Sequence, residues 1–107
     1  MEKAHLIREM ISIIDNQERT EKGSERDFQR LVNIIYEFRN DVYNENFQGT
    51  LQEIKAYAQK RKESVTLDEH INNHLHHMSR WKEELTLFLN GGGAVTIDYE
   101  QRKGREV

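Results

Sequence analysis

The sequence predicts an all-α fold: an up-down antiparallel bundle of four helices, followed by a short strand-like or disordered C-terminal tail. Three observations lead there. Apolar residues recur at helical spacing in four stretches of the 107-residue chain. Only short polar breaks separate these stretches, as antiparallel neighbours require. Proline is absent, which favours long helices over a many-turned β fold.

The first helix is expected over residues 4–20. Leu6, Ile7, Met10, Ile11, Ile13 and Ile14 fall in one arc of roughly 160°, with Arg8, Glu9, Ser12 and Asp15 opposite. Lys22-Gly23 reads as its stop. Ser24, with Asp27 three residues on, starts a second helix over 25–44 in a weak form of the capping box. Its apolar residues, Phe28 to Tyr43, span roughly 200°, enough to touch two neighbours, or one neighbour and a second subunit. Ile34 and Phe38 stand at the flank of that arc, and Arg39 projects into its middle. The Arg39 stem is expected to pack while its head reaches solvent, the alternative being an ion pair or partner contact.

A third helix is expected over 47–62, with a narrow stripe of Phe47, Leu51, Ile54 and Ala58 that covers the core more than it fills it. Lys60, Arg61 and Lys62 complement the negative end of its dipole and read as a solvated helix end. Thr66-Leu67-Asp68-Glu69 is a good capping box for a fourth helix over 67–90, which buries Ile71, Leu75, Met78, Leu85 and Leu89. Gly91-Gly92-Gly93 ends it. Residues 1–90 thus form one domain, closed within one chain or completed by dimerisation. Residues 91–107 form a hinge and tail in which Val95, Ile97 and Tyr99 alternate at strand period.

Composition narrows the function. A net charge of −3 argues against a general nucleic-acid binder. Without cysteine there are no disulfides, thiolate nucleophiles or Cys-ligated zinc. No apolar run of about 18 residues and no signal-peptide segment is present, so a cytoplasmic protein without a membrane partner is expected. No nucleophile elbow, phosphate loop or H-E-x-x-H motif occurs. The densest chemical signal is His70, His74 and His77, which share one helical edge with Trp81, while His76 points away. Imidazoles at this spacing could share zinc or another divalent transition metal, given a fourth ligand from elsewhere, with His5, Glu37 and Asp41 as candidates. The plainer reading is half-buried rings at a core boundary, His74 deepest. Protonation of three such neighbours would loosen the fourth helix in acid.

The stretch Leu51 to Gln59, then Leu67 to His74 and His77-Met78-Ser79-Arg80-Trp81, resembles the YtzH-like family of small Bacillus proteins, to which no activity is attached. The likeness is dense over 51–81, is limited to apolar spacing over 6–45, and stops before the tail. It implies a bacterial cytoplasmic setting and a helical fold, and it transfers no catalytic role. The leading expectation is a non-enzymatic bundle that needs no cofactor. It would bind itself as a homodimer, or a protein partner, through Ile34 and Phe38 and through Val95, Ile97 and Tyr99. A metal-binding bundle using His70, His74 and His77 is the alternative.

Overall fold

The computed structural model describes residues 3–41 and 45–91. Helix α1 spans Ala4–Thr20, α2 Glu25–Tyr36, α3 Glu45–Gln59, α4 Leu67–Asn72 and α5 Leu75–Asn90, with a 3-10 turn at Lys60–Glu63. No strand occurs among the described residues, and none of their helices is long and apolar enough to cross a membrane.

The long helices form a ring in which α1 and α3 each pack against both α2 and α5. Cross-links set the sense of each pair. Asp15 and Glu18 of α1 meet Lys82 and Ser79 of α5. Thr50 and Glu53 of α3 meet Glu84 and Trp81. In both pairs the α5 number falls by three as the other rises by three, so the helices are antiparallel. Glu9–Arg30 and Lys3–Asp41 do the same for α1 and α2, and Phe28–Tyr57 with Phe38–Phe47 for α2 and α3. The up-down bundle expected from periodicity is the one that forms.

The core draws on every helix: Ile7, Met10 and Ile14; Phe28, Leu31 and Ile34; Leu51, Ile54 and Tyr57; Ile71; Met78, Trp81 and Leu85. Ile34 and Phe38, expected on an uncovered flank, are buried inside the chain. The wide face of α2 is shared between α1 and α3, so it needs no second subunit to cover it. Phe38 lies beyond the helix proper. After Tyr36 the backbone tightens into i→i−3 bonds from Glu37, Phe38, Arg39 and Asp41, and Phe38 turns edge-on to Phe47 at 5.8 Å. Positions 42–44, to which the second helix was expected to run, lie outside the described residues, as do Val95, Ile97 and Tyr99.

Several caps match their sequence signals. Ser24 and Asp27 close a reciprocal capping box. Thr66 Oγ1 accepts from the Glu69 N–H, while Glu69 takes the Val65 N–H instead of completing the box at Thr66. Val65 itself is exposed. At the end of α1 the left-handed residue is Glu21, φ 58°, and not the expected Gly23. Gly23 serves a different need: a Cβ there would stand 2.9 Å from Gln17 Nε2 and 3.0 Å from Ile71 Cδ1.

Candidate functional site

Two regions carry chemical character: a cluster of rings where α3, α4 and α5 meet, and a groove between α2 and α3.

The ring cluster exists because the expected fourth helix is broken. Its backbone turns at Asn73 and His74, the latter at φ −120°, ψ 7°. In a continuous helix the His74 N–H would donate to the His70 carbonyl. Here it donates to Ile71 O, and His74 Nδ1–H donates to His70 O at 2.8 Å in its place. The side chain replaces the backbone donor, and Asn72-Asn73 before it has weak helix propensity.

The break lets His70 swing under the 3-10 turn. It is the most buried histidine, not His74 as expected, because both of its nitrogens find partners. Its Nε2–H donates to Tyr57 O at 2.6 Å, and Nδ1 lies 3.1 Å from Ser64 Oγ. Its ring stacks on Tyr57, 4.9 Å between centroids and 9° between planes. Burial holds the His70 pKa below the ordinary imidazole value, and nearby His74 adds to that. His77 stacks on Trp81 at 5.5 Å, and its pKa is likewise lowered, by desolvation and then by His76 and Arg80. Glu53 accepts from Trp81 Nε1 at 2.9 Å and from Arg80, and the two donors hold its carboxyl low, Trp81 first.

This arrangement does not gather His70, His74 and His77 as metal ligands. The rings follow one another at a tilt, 4.6 Å and 49° and then 6.2 Å and 39° between neighbours, and His70 is committed to Tyr57 and Ser64. No group of three or more His, Cys, Asp or Glu side chains among the described residues could hold a metal ion. The fourth-ligand candidates sit at the other end of the bundle, where Lys3 reaches Asp41 and the Glu37 carbonyl and His5 is exposed. The hub is Tyr57, whose hydroxyl donates to Gln17 Oε1 at 2.7 Å across the core and whose phenol pKa is raised by burial. The apolar stripe expected for the third helix, Phe47, Leu51, Ile54 and Ala58, does not include Tyr57. Its place three residues after Ile54, beside the stripe residue Ala58, is the signal that marks it as core.

Arg61, read as part of a solvated basic end, is buried and bonded to Glu25, with Nε to Oε1 at 2.8 Å. It ties the end of α3 to the start of α2. That pairing holds the Glu25 carboxyl below its usual value.

The second region is a groove of about 370 Å³ between α2 and α3. Val32, Ile35 and Leu51 line it, with Gln48, Gln52 and Gln59 along the α3 side. Tyr36 stands beside it and is 59% exposed. Arg39 lies over the Tyr36 ring, its guanidinium carbon 3.8 Å from the centroid, and donates to the Tyr36 carbonyl. The Arg39 head is therefore at the surface, as the packing expectation had it, but on an aromatic face.

A family model described as YtzH-like protein matches residues 1–85. The chain belongs to the YtzH-like family. Within this YtzH-like chain the match takes in α1 to α4 and most of α5, so both the ring cluster and the groove lie inside it. It extends the likeness seen over 51–81 through the two N-terminal helices. Leu87, Phe88 and the residues after them lie beyond it. No curated protein and no solved structure matches the chain.

Proposed function

We propose that this YtzH-like protein is a non-enzymatic binding module that docks another protein in the α2–α3 groove. The observation that carries the proposal is Tyr36. Core apolar side chains are covered by the chain's own helices, yet this aromatic stands 59% exposed beside an apolar floor of Val32, Ile35 and Leu51. Tyrosine and arginine at the mouth of an apolar groove are the residue types that anchor protein interfaces. Ile35 and Leu51 are already buried, so the apolar surface a partner would cover is the exposed Tyr36 ring and the half-buried Val32 beside it. The proposed setting is cytoplasmic, as the sequence leads one to expect.

Blocking the groove tests the reading. Gln52→Trp fills it from an exposed position of α3, and Glu83→Trp adds the same bulk on α5 as a control. Immobilised wild-type chain and the Glu83→Trp variant should retain the same partner, and Gln52→Trp should lose it. Light scattering on the three proteins tells a foreign partner from a second copy. Equal retention by all three removes the groove from the account.

A further inference from the structure

The chemistry lining the groove says what kind of segment fits it. Among the described residues its charged lining is Arg39 and Lys55, with no carboxylate. Neither cation makes a salt bridge with a described residue, whereas Arg30, Arg61, Arg80 and Lys82 are all paired. Stacking on Tyr36 leaves the Arg39 charge in place. These cations flank an apolar floor in a chain of net charge −3. An acidic segment is therefore attracted at the groove and repelled by the net charge of the rest of the molecule.

The shape points to a helix. The groove runs between two antiparallel helices, a surface that receives the ridges of a third. From Gln48 to Gln59 it extends about 16 Å at 1.5 Å per residue, or about three helical turns. The glutamines offer side-chain donors and acceptors along one edge.

We infer that the groove takes a short amphipathic helix of another protein, with apolar residues at i, i+3 or i+4, and i+7 on Val32, Ile35 and Leu51, and Asp or Glu beside Arg39 and Lys55. The inference rests on the docking role proposed above and deepens it.

The test places a small diazirine photo-cross-linking amino acid, close to glutamine in size so that the groove stays open, at Gln52 of the full chain in the native cell. A control carries it at exposed Asn16 on α1. The peptide attached at position 52 is sequenced and should be an acidic segment with helical apolar spacing. Arg39→Glu with Lys55→Glu, both exposed and so neutral to the fold by circular dichroism, should cut the adduct at least tenfold. Raising the salt concentration before irradiation should lower it too. An adduct to a segment without excess acid, or one unchanged by the double reversal, overturns the acidic partner and leaves the groove as a docking site. A peptide from a second copy of this chain overturns it in favour of self-assembly. No adduct at position 52 above that at Asn16 overturns both readings.

Discussion

Tyr57 shows how one residue joins the core to the ring cluster. Its ring contacts Phe28, His70, His74 and Trp81, and its hydroxyl is the partner of Gln17, whose Nε2 is buried without a described partner. Removing that hydroxyl leaves the amide without its hydrogen bond, so Tyr57→Phe should cost about 1–3 kcal/mol in urea unfolding. Gln17→Leu with Tyr57→Phe replaces both polar ends by apolar groups of similar size and should recover most of the loss. If the double variant is the weaker of the two, the pair is net stabilising and this account of it is wrong. Acid should act on the fold in part through His70. Its pKa is lower in the folded chain than the ordinary 6.5, as is that of His77, so the unfolded chain binds more protons once the pH falls below about 6.5. Their contribution is fully present above that pH and is lost as pH falls through the folded values. Glu53 and Glu25, also lowered, extend the loss below about 4.5. The groups around His70 are Arg61, Glu63 and His74, and His70→Gln keeps a donor for the Tyr57 carbonyl while removing the titration. That variant should show a shallower fall in melting temperature between pH 7 and 5 than wild type. An unchanged slope would assign the acid response elsewhere.

At the scale of the element, two glycines make opposite predictions. Gly49 lies inside α3, and a Cβ there meets nothing within 4 Å. Gly49→Ala should raise stability by about 0.5–1 kcal/mol through better helix propensity and a less flexible unfolded chain. Gly23→Ala should lower it by about 1–3 kcal/mol, because the new methyl presses on Gln17, which Tyr57 holds in place, and on Ile71. Denaturant midpoints of the two variants, moving in opposite directions from wild type, check both. What the sequence made legible at this scale follows from local physics. Periodicity located every long helix, and Ser24 and Thr66 marked the starts of α2 and α4 through bonds made within four residues. The helix ends that went unread depend on packing and on side chain–backbone competition. The chain tightens after Tyr36 where Phe38 turns onto Phe47 from another helix. The expected fourth helix breaks because His74 takes the His70 carbonyl with its ring, an option no apolar pattern encodes. The histidine edge was thus legible as a grouping. Its depth order was not, since His70 is drawn inward by a carbonyl thirteen residues earlier on α3.

At the scale of the whole molecule, every buried core residue among the described ones lies between Leu6 and Phe88, and the four long helices close a ring by their own contacts. The described residues that line the groove likewise lie between Val32 and Gln59. A chain ended after Gly91 should therefore keep its far-ultraviolet circular dichroism, with a melting temperature within about 3 °C of full length, corresponding to less than about 1 kcal/mol in a domain of this size. A larger drop would mean that residues 92–107 contribute to the core. The same truncation weighs the groove against the sequence-based expectation that Val95, Ile97 and Tyr99 capture a partner by strand pairing. Main-chain pairing needs those residues present, whereas a helix seated on Val32, Ile35 and Leu51 does not. The truncated chain should thus retain its partner as tightly as full length, and Gln52→Trp should abolish that retention in both. Capture that survives Gln52→Trp and disappears with the truncation would move the binding function out of the bundle and into the tail.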